Sequence, residues 1–243
     1  MLVLAIDTST QVSSVAVVSE SKLSAELTMQ AKLTHSETLL PHIEQVLKMA
    51  GTEKEELDGI VISQGPGSFT GLRIGLATAK AMSYALKLPL VGVSTLEALA
   101  YHYVVPGVHI ATLLDAQKGN AYWQCFRWER QGAGLQLLAD EGIRVARIMD
   151  IIEECSAMNG QVVLLGDVVA KKIVGKLTLP ENVLSAPPHL LMPRAACVAR
   201  LGLKKLAAGE IANVMDMEPV YIRRSEAEVL WEKRHPEQAG QPS

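Results

Sequence analysis

Runs of apolar residues separated by short polar turns dominate the first part of the chain. A continuous apolar run predicts a strand buried on both faces, and alternation of apolar with polar residues predicts a half-buried strand. By these rules, strands are predicted over Leu2–Ile6, Val12–Val18, Leu23–Met29, Gly59–Ile62 and Leu90–Val93. The short polar connections between the first three strands favour an antiparallel meander.

Helical spacing of apolar residues predicts a helix over residues 34–49. Its apolar positions are Leu39, Leu40, Ile43, Val46 and Leu47. Five such positions form a broad stripe, and a portion of it that is exposed would mark a partner site. Ser36 is the expected N-cap, and Pro41 is expected to bend the helix because it removes a backbone hydrogen bond.

A second helix is predicted after a glycine-rich loop. Its apolar positions are Leu72, Leu76, Ala79 and Tyr84. Gly71, Gly75 and Ala79 recur every four residues, which gives this helix a small-residue face that another backbone could approach. A third helix is predicted from Ser94 to Tyr103, because Ser94 and Glu97 have the spacing of a capping box.

The second half of the chain repeats this order of strands, helix, strand, glycine and helix. Strands are predicted over Ile110–Leu114, Ala121–Trp128, Leu135–Ala139 and Val162–Leu165, and helices over Ile148–Met158, Val168–Leu177 and Pro193–Ala208. We therefore predict two similar α/β lobes. The expected division is 1–105 and 106–216, with a boundary near Val104–Gly107, and residues 235–243 are expected to be a disordered tail.

The loop between Ser63 and Gly71 can be interpreted in two ways. A strand, a glycine loop and a helix can aim backbone N–H groups at a phosphate. The Walker A and dinucleotide motifs nevertheless fit poorly, because Leu72 and Arg73 follow Gly71 and the glycine spacing is one residue too long. The alternative is a tight turn that leads into a closely packed helix.

Composition limits the classes of function. A formal net charge of -3 and a pI near 6.1 argue against a self-sufficient nucleic-acid binder. Cys125, Cys155 and Cys197 have no paired spacing, which favours a reducing compartment and argues against a zinc site. No targeting segment or membrane-spanning run is apparent, so the expected location is the cytoplasm.

Four segments resemble the TsaB (YeaZ) family of tRNA threonylcarbamoyladenosine biosynthesis. They are Ile6-Asp-Thr-Ser9, His35-Ser-Glu37 with Leu39-Leu-Pro41, Gln64-Gly-Pro-Gly-Ser-Phe-Thr-Gly-Leu-Arg-Ile-Gly75, and Pro219-Val-Tyr-Ile-Arg223. The resemblance implies an actin-like, Hsp70-like and sugar-kinase-like (ASKHA) fold, in which two RNase-H-like lobes flank a cleft. It also implies that a C-terminal segment, residues 217–234, returns to the first lobe.

The catalytic paralogue in this pathway, TsaD, carries a metal site with His-x-x-x-His spacing after the strand that follows the glycine helix. Thr95 and Leu99 stand at those places here, and neither is a suitable ligand for iron or zinc. His35, His42, His102, His109, His189 and His235 do not have that spacing either. No catalytic residue, no metal site and no cofactor are therefore expected; ATP is expected only at an interface within a complex.

The resemblance implies a scaffold subunit that binds TsaD, acts with the ATPase TsaE, reaches tRNA only through the complex, and forms homodimers through the same surface. The expected interface residues are His35, Ser36, Leu39, Leu40, Ile43, Val46, Leu47, Gly71, Arg73, Ile74, Gly75, Thr78, Ala79 and Met82. A phospho- or carbamoyltransferase is the alternative, with a nucleotide site formed by Asp7, Gly65, Gly67, Ser68, Thr70 and Asp115. A peptidase is a third hypothesis, although no nucleophile–base pair is recognisable.

Overall fold

The computed structural model describes residues 1–30, 34–132 and 134–222. Its first sheet has the order β3-β2-β1-β4-β5. These strands are β1 (Leu2–Asp7), β2 (Ser13–Ser19), β3 (Leu23–Met29), β4 (Gly59–Gly65) and β5 (Leu90–Ser94). β1 to β3 form the predicted antiparallel meander, and β4 and β5 extend the sheet in parallel with β1.

The second sheet repeats this order. Its strands are β6 (His109–Asp115), β7 (Asn120–Gln131), β8 (Gly134–Ala139), β9 (Arg144–Arg147), β10 (Val162–Leu165) and β11 (Val183–Ser185). The order β11-β10-β6-β7-β8 matches that of the first sheet, with β9 added alongside β7. β6 to β8 are antiparallel, and β10 and β11 run parallel to β6. The prediction of two RNase-H-like lobes is therefore confirmed.

The helices are α1 (His35–Ala50), α2 (Phe69–Leu86), α3 (Thr95–Tyr101), α4 (Ile148–Ser156) and α5 (Ala195–Ala207).

Some details of the sequence-based prediction are wrong. Thr34 rather than Ser36 is the N-cap of α1, since its N–H donates to the Glu37 carboxylate at 3.0 Å. Tyr84, predicted as one of the apolar positions of α2, is 78% exposed. Residues 168–177 contain one turn of π-helix (Val169–Ile173) in place of a regular helix, and β9 and β11 were not predicted.

Alternation along β1 explains its unbroken apolar sequence. Leu4 and Ile6 face α1 and α2, whereas Val3 and Ala5 face α5. Residues 3–6 are buried on both faces, which leaves no position among them for an unpaired polar side chain. Among the helices of the described residues, none is long and apolar enough to cross a membrane.

Helix α5 packs against the first sheet, although the sequence-based division assigned it to the second lobe. Ala195, Val198 and Ala199 lie in the same apolar cluster as strands β1, β4 and β5. A Cβ on Gly202 would overlap the Val61 side chain, so the glycine lets α5 approach β4 closely. Residues 106–216 therefore do not form one packing unit.

The C-terminal segment returns to the first lobe as far as the structure describes it. Met217 lies in the first-lobe core. The Val220 N–H donates to the Gln64 carbonyl oxygen at 2.8 Å, and Gln64 Nε2 donates to the Glu218 carbonyl oxygen at 2.6 Å. Residues 223–234 of the expected returning segment, and the expected tail 235–243, lie outside the described residues.

Candidate functional site

A cleft of about 510 Å³ lies between the two lobes. Its walls come from the β1–β2 turn and the glycine loop on one side and from the ends of β6 and β10 on the other. The lining residues are Ser9, Thr10, Gln11, Gly67, Ser68, Phe69, Thr70, Leu114, Asp115, Ala116, Gln117, Tyr122, Asp167, Lys171, Val220 and Tyr221. The structure thus brings four of the expected nucleotide-site residues to the cleft: Gly67, Ser68, Thr70 and Asp115.

The glycine loop packs against the chain's own β1–β2 turn. A Cβ on Gly67 would overlap the Ser9 carbonyl oxygen, and a Cβ on Gly71 would overlap that of Thr8. The Ser68 N–H donates to the Ser9 carbonyl oxygen at 2.7 Å, and Thr8 Oγ1 donates to the Gly71 carbonyl oxygen at 2.8 Å. Backbone therefore contacts the loop at the positions where glycines could otherwise admit a phosphate.

Asp7 is held inside the first lobe. Its Oδ1 accepts hydrogen bonds from the Ser9 N–H at 3.0 Å and from Ser9 Oγ at 2.7 Å, and its Oδ2 accepts one from Ser63 Oγ. The carboxyl group is 1% exposed. Burial raises the pKa of Asp7, while the hydrogen bonds from Ser63 and Ser9 act in the opposite direction. This carboxyl group supports the β1–β2 turn, and it does not line the cleft.

The acids of the second lobe are paired with lysines. Lys172 Nζ lies 2.8 Å from Asp115 Oδ1, and Lys171 Nζ lies 2.8 Å from Asp167 Oδ2. Asp167 Oδ1 also accepts the Asp115 N–H at 3.0 Å. A magnesium ion that used these carboxylates would have to displace both ammonium groups. Asp167 was not among the predicted site residues, although it follows an apolar strand as Asp7 and Asp115 do.

Gly65 lies outside the cleft lining and accommodates the C-terminal segment. Its φ of +118° favours glycine, and a Cβ there would lie 3.1 Å from the Val220 carbonyl oxygen. The neighbouring Tyr221 ring stacks on Phe69 with centroids 4.9 Å apart. Arg73 lies over the Phe69 ring at 3.8 Å and donates from Nε to Tyr221 Oη at 2.9 Å. Arg73, an expected interface residue, is therefore engaged within the chain.

Three of the five apolar residues expected at the α1 interface belong to the protein's own core. Leu39, Ile43 and Val46 are at most 4% exposed and pack in the first-lobe core. Leu40 is 61% exposed, and Leu47, partly buried, lies at the edge of that core. The predicted single apolar face is therefore wrong, because Leu40 points away from the buried stripe. Only Leu40 and Leu47 of these five remain accessible to a partner.

The first turn of α1 contacts the β1–β2 turn. His35 Nε2 lies 2.8 Å from the Thr10 carbonyl oxygen, and the His35 ring packs next to Gly71. Ser36 Oγ lies 2.8 Å from Thr34 Oγ1 at the N-cap. His35 is thereby committed to an internal contact, whereas Ser36 is exposed.

The small-residue face that the sequence singled out on α2 is covered. Gly71, Gly75 and Ala79 are buried, and a Cβ on Gly71 or Gly75 would overlap Thr8. The expectation that this face is open to another subunit is therefore wrong, because the chain's own β1–β2 turn occupies it.

A second small-residue stripe on α2 is exposed, and the sequence analysis missed it. Ala77, Ala81 and Ala85 also recur every four residues, and all three are exposed. Helical geometry places them beside the partly buried Ile74, Thr78 and Met82. We define the α1–α2 surface as Leu40, Leu47, Ile74, Ala77, Thr78, Ala81, Met82 and Ala85. The only signal in the sequence was the same spacing, displaced by two residues.

Comparisons with known proteins agree with this architecture. A family model described as tRNA N6-adenosine threonylcarbamoyltransferase (TsaD) matches residues 27–231. The tRNA threonylcarbamoyladenosine biosynthesis protein TsaB of Bacillus subtilis is 30% identical over 234 residues, which are 95% of this chain and 98% of that protein. The TsaB of Escherichia coli is 27% identical over 235 residues, covering 96% and 98%.

The chain belongs to the TsaB family. The solved structure of YeaZ from Pseudomonas aeruginosa superposes on it with a TM-score of 0.71 at 28% identity, covering 91% of this chain and 99% of that one. This likeness over nearly the whole chain confirms the α/β fold class that the sequence predicted.

The TsaB motifs have structural roles in this chain. The first and third motifs place Thr8 and Ser9 against Gly67 and Gly71. The last motif supplies Tyr221, which stacks on Phe69 of the glycine loop; its final residue, Arg223, lies outside the described residues. These three motifs therefore meet at the junction of the β1–β2 turn, α2 and the C-terminal segment.

Thr95 and Leu99, the positions at which the resemblance to TsaD led us to look for metal-binding histidines, lie in the interior of this TsaB family member. Both are 0% exposed. Leu99 packs in the second-lobe core, and Ala98 packs in the cluster of the first sheet and α5. The start of α3 thus joins the two lobes through apolar contacts and offers no donor set for a metal ion.

Proposed function

We propose that this protein is a non-catalytic subunit required for threonylcarbamoylation of adenosine 37 in tRNAs that read codons beginning with A. It binds and activates the catalytic subunit TsaD and acts together with the ATPase TsaE. The observation that carries the proposal is the full-length similarity to TsaB proteins in a chain whose paralogous metal positions hold Thr95 and Leu99.

The α1–α2 surface is the proposed contact with TsaD, and a homodimer would use the same surface. Its exposed alanines would let a facing helix approach closely, and Leu40 would supply an apolar anchor at the periphery. Contact with tRNA is proposed to occur only through the assembled complex. ATP, if it is held at all, is proposed to lie at an interface within the complex.

Reconstitution tests this proposal. TsaD, TsaE, ATP and substrate tRNA are combined with and without the chain, and threonylcarbamoyladenosine is measured by mass spectrometry of the digested tRNA. The expected result is modification only when the chain is present. A full rate in its absence would show that the chain is dispensable and would refute the proposal.

The cleft favours a second candidate, a nucleotide-dependent transferase. Its volume of about 510 Å³ is sufficient for a nucleotide. The paired lysines and the covered glycine loop weigh against this candidate. Calorimetry of the isolated chain with ATP and Mg²⁺ distinguishes the two: heat of binding that disappears in Asp115→Asn would favour the transferase, and no binding would exclude it.

The peptidase hypothesis gains no support from the thiols. Burial raises the pKa of each of Cys125, Cys155 and Cys197 to about 12. A protonated thiol is a poor nucleophile at neutral pH.

A further inference from the structure

Three potential metal-ligand side chains converge at the rim of the second sheet, outside the cleft. His109 begins β6, Cys125 lies within β7, and Asp140 follows β8. His109 Nδ1 lies 4.0 Å from Cys125 Sγ and 3.6 Å from Asp140 Oδ2. All three ligand atoms lie within 4.8 Å of one another.

Strand register brings these side chains to one face. His109 pairs with Arg127 and Ala111 with Cys125, so His109 and Cys125 are diagonal neighbours on the same side of the sheet. The Asp140 N–H donates to the Cys125 carbonyl oxygen at 3.0 Å and thereby fixes the third residue beside the second. Backbone hydrogen bonds thus define the separation of the three ligands.

We propose that His109, Cys125 and Asp140 bind a divalent transition-metal ion, with Zn²⁺ as the preferred ion. A set of one nitrogen, one sulfur and one oxygen ligand suits zinc or cobalt and disfavours magnesium and calcium, which prefer oxygen ligands alone. Three protein ligands leave a fourth position of a tetrahedral ion for water or another ligand.

The imidazole is oriented for this role. His109 Nε2 lies 3.2 Å from the Asn159 carbonyl oxygen, which can only accept a hydrogen bond. This contact favours the tautomer with the proton on Nε2, in which the Nδ1 lone pair faces the thiol and the carboxylate. A backbone carbonyl that holds the distal nitrogen of a ligand histidine is a common second-shell arrangement in metal sites.

The spacing requires little movement. Ordinary zinc–ligand distances at tetrahedral angles imply ligand-to-ligand separations of about 3.3–3.6 Å. The observed 3.6 Å between His109 and Asp140 already agrees, and the 4.0 Å between His109 and Cys125 exceeds it by a few tenths of an ångström. The third separation, between Cys125 Sγ and the Asp140 carboxylate, is no more than 4.8 Å. Closing the site would therefore move these two side chains together by up to about 1 Å.

Charge and access also fit a cation. Binding of the ion would release the Cys125 proton, and the resulting thiolate and the Asp140 carboxylate would together neutralise a divalent ion. Arg127 pairs with the other carboxylate oxygen, Oδ1. The side chains of His109 and Asp140 are 27% and 21% exposed, which gives an ion a route from solvent. An ordinary ion pair between His109 and Asp140 would account for the positions of these two residues. It would not account for the Cys125 thiol beside them, and this third ligand favours a metal site.

This proposal departs from the sequence-based expectation of no metal site. The spacing of 109, 125 and 140 matches no short motif, because each ligand comes from a different part of an antiparallel sheet. The site shares no residue with the α1–α2 surface, so its failure would leave the proposed function untouched.

Cobalt provides the test. The full chain is treated with a chelator and titrated with Co²⁺, and we expect one equivalent to produce a near-ultraviolet sulfur-to-cobalt charge-transfer band that Zn²⁺ removes and Mg²⁺ does not. Cys125→Ser should abolish the band, whereas the matched variant Cys155→Ser should retain it. His109→Gln and Asp140→Asn should each weaken Zn²⁺ binding by about tenfold or more.

Circular dichroism spectra establish that each variant is folded. If Cys125→Ser does not fold, His109→Gln decides the question, because the His109 side chain lies at the rim. Absence of the band in the wild type would overturn the proposal. A band that persists in folded Cys125→Ser, or binding that is unchanged in His109→Gln, would overturn it as well.

Discussion

The two lobes share a strand order but differ in the helices that follow. In the first lobe, β4 ends at Gly65 and leads into α2, which has 18 residues. In the second, β10 is followed by Gly166 and a π-helical turn of five residues. Gly65 and Gly166 have similar φ values of +118° and +121°. The sharp turn after the strand is thus common to both lobes, whereas the long helix belongs to the first.

The lobes also neutralise their acids differently. Asp7 of the first lobe is buried among serine hydroxyls, whereas Asp115 and Asp167 of the second are paired with lysines. Neither arrangement leaves a carboxylate prepared for a metal-bound nucleotide. The cleft acids of the second lobe are thus engaged within the chain, and the proposed partner contact lies on the helices of the first lobe.

The largest expected effect distinguishes the buried from the exposed side of α1. Ile43→Asp should lower the free energy of unfolding by about 4 kcal/mol or more, because it buries an unpaired carboxylate. Leu40→Asp should change it by no more than about 0.5 kcal/mol. Urea denaturation of both variants is the measurement. Similar losses in the two variants would contradict the assignment of Leu40 to the surface.

The next effect concerns the covered face of α2. Gly71→Ala should cost about 1–3 kcal/mol, since its methyl group would overlap the Thr8 carbonyl oxygen. Gly142→Ala is the matched control, because no atom lies within 4 Å of its Cβ position. Thermal denaturation compares the two. A neutral Gly71→Ala would show that the β1–β2 turn does not hold this helix.

A smaller effect is expected in the second lobe. Lys172 and Asp115 are 31% and 30% exposed, so solvent screens their ion pair. Lys172→Met should therefore cost no more than about 1 kcal/mol. Lys22→Met, in the exposed β2–β3 turn, provides the surface control in the same urea titration. A loss of several kcal/mol from Lys172→Met alone would mean that the cleft acids depend on their lysines far more than this account allows.

The final prediction concerns the change in the free energy of unfolding with pH. Burial raises the pKa of Asp7 above its ordinary value of 3.8, so the folded chain binds this proton more tightly than the unfolded chain. Between the raised pKa and 3.8, the contribution of Asp7 to the free energy of unfolding therefore increases as pH falls. The same contribution is lost as pH rises through this range. Asp7→Asn cannot titrate. Free energies of unfolding are measured for both proteins across this pH range. The wild type should become more stable relative to Asp7→Asn as pH falls, and the opposite trend would contradict a raised pKa for Asp7.

The fold was predictable from the sequence because the apolar positions of each strand correspond to the positions that are buried. Leu2–Ile6 had to be buried on both faces, and it is. The placement of α5 was not predictable, because an amphipathic helix does not specify which sheet it covers. Contacts in the fold, such as the close approach of Gly202 to Val61, reveal which sheet α5 covers.

The candidate surface was predictable only in part. Gly71, Gly75 and Ala79 have the same spacing as Ala77, Ala81 and Ala85, and periodicity alone cannot say which stripe faces the interior. Tertiary contact with Thr8 decides it. Likewise, the cluster at His109 depends on strand register, which a pattern of single residues does not encode.

We propose that the protein acts through the α1–α2 surface. The most direct test is the rate of tRNA threonylcarbamoylation in the reconstituted system, measured for Ala81→Glu and Lys172→Met. A charge at an interface costs about 2–4 kcal/mol of binding, so Ala81→Glu should reduce the rate towards that of reactions without the chain, while Lys172→Met should keep the wild-type rate. A normal rate with Ala81→Glu would contradict a role of this surface, and a lost rate in folded Lys172→Met would assign the activity to the cleft.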